Sequence, residues 1–224
     1  MDVAHLFNSQ DEADTRLILH SLGAVQRAAR ELHMQSADTD VFILAIHLYH
    51  QLCRKTYFVT GVGNKQRVIS LGPIVNALGD EKAEALPGFH AFSGADITGR
   101  FAGKGKLTCW QAFSTCSMEA VVSAFAALGT SEKLKAHTER AIETFVCQLY
   151  EPGSTVVDVG DLTWKLFTQK QLQAEKLPPT RGALHEAHYQ ATVWRQANIH
   201  HPHLPPATTH GWKEEQDRGD VQQC

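Results

Sequence analysis

A chain of 224 residues and 24.8 kDa, 43% hydrophobic and 20% charged, is long enough to bury a sizeable core and too apolar to be wholly disordered. A formal net charge of -3 excludes a generic polyanion binder. Five cysteines, odd in number and never paired as Cys-x-x-Cys, exclude a disulfide scaffold and an ordinary zinc ribbon.

In chain order, Ser9 to about Leu32 predicts an amphipathic helix. Leu17, Leu22, Val25, Ala28, Ala29 and Leu32 recur at helical spacing, opposite Arg16, Gln26, Arg27 and Arg30. Leu32 to Ser36 predicts a short extended segment. Val41 to Ile46 is the longest apolar run, too short for a bilayer, and its β-branched residues predict a central parallel strand. His47 to Arg54 continues as a short helix. Tyr57–Thr60 and Gln66–Leu71 predict two strands joined by the glycine-rich turn Gly61-Val62-Gly63-Asn64. Pro73 opens a helix that Gly79 stops. Asp80 to about Phe92 predicts another, kinked at Pro87-Gly88, and the loop from Gly99 then leads into a helix through Phe113.

After Gly129 the pattern is helical. Ile142, Phe145, Val146 and Leu149 form a stripe that ends at Pro152-Gly153, and Asp161 to Lys176 and Arg181 to Asn198 predict two more helices. Trp110, Phe113, Phe145, Trp164, Phe167 and Trp194 sit at helical spacings and are expected in the core. From His200 the chain is Pro/His-rich and then charged, which predicts a disordered tail. The fold class read from this order is α/β with a parallel sheet, followed by an α-helical extension. Residues 1–5 lack a signal-peptide pattern, and the scattered cysteines point to a reducing compartment, nuclear or cytoplasmic.

Charge is distributed unevenly. Val41 to Gly79 contains no acid but carries Arg54, Lys55, Lys65 and Arg67, and Ile97 to Met118 repeats the pattern with Arg100, Lys104 and Lys106. The acids of the first half fall mostly in compact groups: Asp11, Glu12 and Asp14; Asp38 and Asp40; Asp80, Glu81 and Glu84; and a solitary Asp96. Basic segments between acidic points suit a phosphate-holding surface around a cation-holding centre. Carboxylates from different elements are what Mg²⁺ takes as ligands while keeping several waters. Singly, each has an ordinary role: Glu12 completes a Ser9-x-x-Glu12 capping box, Asp14 suits the start of a helix, and Asp38, Asp40 and Asp96 suit turns and caps.

The loop Gly99 to Lys106 is not a P-loop, because no Gly-x-x-x-x-Gly-Lys-Ser/Thr can be read in it. Gly103 and Gly105 let a backbone approach a phosphate closely, and Lys104 and Lys106 supply counter-charge. The bland alternative is a surface turn with two incidental lysines. His47 and His50 lie one turn apart without a third metal partner nearby in sequence, and His200, His201 and His203 lie in the tail. Structural or surface roles fit both groups.

Order and spacing together carry a resemblance. The phrases Asp-Glu-Ala-Asp at 11–14, Ala-Asp-Thr-Asp-Val at 37–41, Val75 to Gly79, Phe92-Ser93-Gly94-Ala95-Asp96 and Phe101 to Lys106 resemble the second half of the catalytic core of flap endonuclease/XPG-type nucleases of the PIN-like superfamily. The chain looks closer still to mobile-element-associated animal proteins of that superfamily, and the likeness covers roughly the first 115 residues. What the resemblance implies is a partial PIN-like (Rossmann-like) sheet with a helix–two-turn–helix over residues 1–128, a helical extension over 129–199 and a tail over 200–224.

It further implies that Glu12, Asp14, Asp38, Asp40 and Asp96 hold one or two Mg²⁺ or Mn²⁺ ions, with Asp38 and Asp40 central to catalysis. Gly103, Lys104, Gly105 and Lys106 match the loop that grips the DNA backbone. The implied activity is metal-dependent hydrolysis of DNA phosphodiesters, with DNA as partner and no membrane. The chain departs from the pattern in three ways: it lacks the family's first strand with its acid and arch, it has Asp14 where a glutamate is usual, and residues 31–36 are poor in β-branched types. A fragment, a truncated isoform or a degenerate copy is therefore expected. The second reading is a catalytically silent remnant that binds DNA, or a protein through its helical half. A third, an unrelated α/β phosphate-binding protein, explains the loop but not the order of the acids.

Overall fold

The computed structural model describes residues 13–95, 101–131, 134–170, 173–195, 199, 212–214 and 221–223. They form two compact units, Met1–Pro87 and Gly88–Cys224, and the division falls inside a helix. The architecture is α/β.

In the first unit, helix α1 (Ala13–Gln26) leads through Ala28, whose φ is 63°, to strand β1 (Glu31–Gln35). Helix α2 (Thr39–His47), a 3₁₀ turn (Tyr49–Gln51), strands β2 (Lys55–Thr60) and β3 (Arg67–Ser70) and helix α3 (Leu71–Leu78) follow, and α4 (Asp80–Gly94) begins. The sheet is mixed, with β2 in the middle. β1 runs parallel to β2 from Glu31 opposite Lys55 to Gln35 opposite Val59, and β3 returns antiparallel with Tyr57 opposite Ser70. A parallel pair needs a crossover, and α2 supplies it. Phe42 of α2 lies 5.0 Å from Phe58 of β2, ring centre to ring centre, above a core of Met34, Val41, Leu44, Leu71 and Val75.

The run Val41–Ile46 is thus helix, not the central strand expected from its composition. Val41, Ile43, Leu44, Ala45 and Ile46 are all buried. A segment covered on nearly every side has no periodicity to separate helix from strand. The Asp38 cap decides the matter, because its side chain accepts the N–H of Asp40 and starts the helical turn. The parallel strand falls instead on Glu31–Gln35, where only Met34 is buried, as suits a strand with one row facing the core. The expected hairpin and the helix ended by Gly79 are both present.

The second unit holds the rest of α4, then α5 (Lys106–Ser114), α6 (Glu119–Ala127), α7 (Ala136–Tyr150), α8 (Val159–Lys170) and α9 (Arg181–Arg195). Its centre is aromatic: Phe89 stacks on Phe113 at 4.3 Å, and Phe125 meets Phe145 edge-on at 5.0 Å. Pro87 lies inside α4, and the next residue explains the tight packing there. A Cβ on Gly88 would fall 2.1 Å from the Phe125 carbonyl oxygen, so only glycine lets α4 approach α6 this closely. Arg195, almost fully buried, donates from Nη1 to the carbonyls of Ala126 (2.8 Å) and Leu128 (3.1 Å), closing the end of α6.

The stripe Ile142, Phe145, Val146 and Leu149 is buried as expected, and so are Phe113 and Trp194. Trp164 and Phe167 are not: they are 69% and 56% exposed on the outer face of α8, and Trp110 is partly exposed. One apolar row on α8 is already filled by Val159, Leu162 and Leu166, which leaves Trp164 and Phe167 outside it. Helix α8 ends at Lys170, short of the expected Lys176, and a 3₁₀ turn occupies Ala174–Lys176. Within the tail, β4 (Trp212–Glu214) and β5 (Val221–Gln223) pair antiparallel.

Candidate functional site

Asp38 and Asp40 lie three and five residues beyond Gln35, the last residue of β1, on the connection that enters α2. Ser36 Oγ accepts the N–H of Asp38 at 3.0 Å, and Asp38 Oδ1 accepts the N–H of Asp40 at 2.8 Å. This relay folds the segment back on itself. It places one carboxylate at the cap of α2 and the other in its first turn, where the helix dipole favours negative charge. Asp40 is 9% exposed and Asp38 half-buried. Ser36 is the member that sequence reading missed; its signal is a Ser-x-Asp-x-Asp spacing of polar turn formers just after a strand.

Asp14 belongs to α1, the helix that packs on β1 and α2. Glu12 and Asp96 lie outside the described residues. Among the described residues no group of three or more His, Cys, Asp or Glu side chains is close enough to hold a metal ion. The donor set at Asp38 and Asp40 is nevertheless of the hard, oxygen type. One or two carboxylates are what a protein contributes to a Mg²⁺ that keeps its waters, and Asp38 commits only Oδ1 to the cap.

The glycine-rich loop is anchored from within the second unit. Gly103 has a φ of +68°, and Gly105 stands at the cap position of α5 without a side chain to cover the first N–H groups. Lys106 Nζ donates to the carbonyls of Gly94 (2.6 Å) and His90 (3.1 Å), the unsatisfied end of α4. Lys104 Nζ sits 5.1 Å from the centre of the Tyr150 ring, and the Tyr150 hydroxyl donates to the Ala102 carbonyl at 3.0 Å. Burial pushes the Cys109 thiol above its ordinary pKa, and Lys106 and Lys104 pull it partly back. Both lysines therefore hold protein partners, and the expected phosphate contacts would have to be made in addition to these or by the loop backbone.

The two histidines read without a third partner do face acids from a distant segment. His47 Nδ1 lies 3.5 Å from Glu84 Oε2, and His50 Nε2 lies 2.9 Å from Asp80 Oδ1. No local spacing announces these pairs, since they join the end of α2 and the 3₁₀ turn to the start of α4. No family model, curated protein or solved structure matches the chain.

Proposed function

We propose that the chain carries part of a divalent-metal phosphodiesterase centre of flap-endonuclease type, with Asp38 and Asp40 as its metal-facing acids and DNA as its substrate. The observation that carries this reading is where the two acids stand: just beyond the carboxyl end of the parallel strand β1, on the turn into α2. Ligands of open α/β sheets collect at that end. Asp14, on the helix packed against β1, and Glu12 and Asp96 are the further acids this reading assigns. Their order along the chain comes from the resemblance set out above.

In this role the chain's own residues do three things. Ser36 Oγ holds the Asp38 backbone N–H and the Asp40 N–H holds the Asp38 carboxylate, so one negative group is fixed before any ligand arrives. Asp40, largely shielded from water, adds a second charge that is screened less than a surface acid. The anchored Gly103–Lys106 loop offers backbone N–H groups to a phosphate. A bound Mg²⁺ or Mn²⁺ supplies an activated water and charge neutralisation at the phosphate.

A specific observation favours the second reading, a silent module of the same ancestry that binds DNA or protein. Asp38, Lys104 and Lys106 each make an internal contact that explains their presence without chemistry. Cleavage assays separate the two. Purified protein with millimolar Mg²⁺ or Mn²⁺ is expected to cut flap or single-stranded DNA, and Asp38→Asn and Asp40→Asn to abolish it. Cleavage that survives both substitutions removes the assigned acids; binding without cleavage supports the silent module.

A further inference from the structure

The first unit contains a second polar feature that the acids do not use. An open pocket of about 580 Å³, within the range of small-ligand sites, is lined by Tyr49, His50, Leu52, Arg54 and Asn76. Its floor is fixed. The Tyr49 hydroxyl donates to the Arg54 carbonyl at 2.9 Å, and Gly72 at the start of α3 comes so near that a Cβ there would lie 2.7 Å from the phenol oxygen. One wall, His50, is held by Asp80.

Arg54 is exposed, and its guanidinium makes no ion pair or hydrogen bond among the described residues. Arg54 and its chain neighbour Lys55 bring positive charge to this end of β2, and Asp80, the acid nearest the lining, is engaged by His50. Asn76, on the exposed side of α3, adds an amide donor to the same lining.

From this geometry we infer that the pocket binds a phosphate monoester group, gripped by Arg54 through paired N–H donors and by the Asn76 amide. An Arg fork matches the spacing of phosphate oxygens, and a monoester brings nearly two negative charges to a site with one free cation among the described lining residues. The site involves neither Asp38 nor Asp40 and stands whether or not the chain cleaves DNA.

The test is titration calorimetry of the full chain in EDTA at fixed ionic strength. The probes are inorganic phosphate, a deoxynucleoside 5′-monophosphate, and a short single-stranded oligonucleotide with either a 5′-phosphate or a 5′-hydroxyl. Saturable binding of a phosphorylated probe is expected, weakened at least about tenfold by Arg54→Gln and only partly restored by Arg54→Lys, since lysine keeps the charge and loses the fork. Tighter binding of the 5′-phosphorylated oligonucleotide than of the mononucleotide identifies a nucleic-acid terminus as the source; equal binding identifies a small metabolite. Equal affinity for the 5′-hydroxyl and 5′-phosphate oligonucleotides, or an Arg54→Gln protein of unchanged affinity with unchanged circular dichroism, overturns the inference. So does the lack of saturation by any phosphorylated probe.

Discussion

The carboxylate of Asp38 accepts the backbone N–H of Asp40 at 2.8 Å, so the first acid of the pair sets the backbone that carries the second. Structural and chemical roles thus overlap in one side chain, and asparagine separates them. It caps a helix about as well as aspartate but gives up the charge. Asp38→Asn is expected to leave the unfolding midpoint nearly unchanged, whereas Asp38→Ala loses about 1 kcal/mol with the cap. Under the nuclease reading both variants lose metal-dependent cleavage equally. Denaturant unfolding beside a cleavage assay checks this, and an Asp38→Asn protein as unstable as Asp38→Ala would show that the charge, not the cap, supports the fold.

Lys106 offers the same choice at the loop. Its ammonium serves the end of α4 through the carbonyls of His90 and Gly94. Lys106→Met keeps the aliphatic stem and removes two charge-assisted hydrogen bonds. Because the site is partly exposed and water can replace one partner, the expected loss is about 1–2 kcal/mol. DNA affinity should fall little, and the slope of log affinity against log salt should stay the same, since a lysine spent on carbonyls neutralises no phosphate. A slope reduced by nearly one unit would instead place Lys106 on the DNA.

The hairpin, the α3 stop at Gly79 and the buried stripe of α7 were legible in the sequence because each has a local signal: a glycine turn between β-rich runs, a helix breaker, and a clean periodicity. Val41–Ile46 was not, since a segment buried all round shows no amphipathic period, and the deciding cap at Asp38 is a single hydrogen bond. Trp164 and Phe167 misled for a related reason: helical spacing gives a face but not which face is covered. At the candidate site, the extended segment before Asp38 and Asp40 was read at Leu32–Ser36, close to β1, but the central parallel strand was assigned to the residues after them. The partners of His47 and His50 come from a segment some thirty residues away, a distance over which no local pattern reaches.

Arg181 ties three helices of the second unit together. From the first residue of α9 it donates through Nε to Glu143 of α7 at 2.7 Å and through Nη2 to Asp158, whose Oδ1 in turn accepts the N–H groups of Gly160 and Asp161 at the start of α8. Glu143 is buried while Arg181 is more than half exposed. Arg181→Met leaves the buried Glu143 carboxylate without its cation and is expected to lower the thermal unfolding midpoint, less than breaking a fully buried pair would because Arg181 itself is exposed. Adding Glu143→Gln is expected to recover part of the loss, because no buried charge then remains. A double-mutant cycle by thermal unfolding measures the coupling, and strictly additive losses would contradict it.

Alkaline pH should weaken the second unit, and the sign follows from three groups, the buried Cys109 and Cys147 and the half-buried Tyr150. Burial pushes the Cys147 thiol up to about 11, with Glu143, Asp158 and Asp161 adding to the effect; burial likewise pushes Tyr150 up to about 12 and raises Cys109. Each group binds its proton more tightly folded than unfolded. Above pH 9 the unfolded chain releases protons that the native protein retains, so stability is full below that point and falls as pH rises towards 12. The same shift makes Cys147 inert. At pH 8 a thiol with a pKa of about 11 is on the order of 0.1% thiolate, against about a quarter for an ordinary cysteine. Iodoacetamide followed by peptide mass spectrometry is expected to label the half-buried Cys53 and Cys116 well before Cys109 and Cys147, and denaturant unfolding at intervals from pH 8 to 12 should trace the decline. Rapid labelling of Cys147 in the folded protein would mean that α7 opens to solvent far more readily than its packing against α6 and α8 allows.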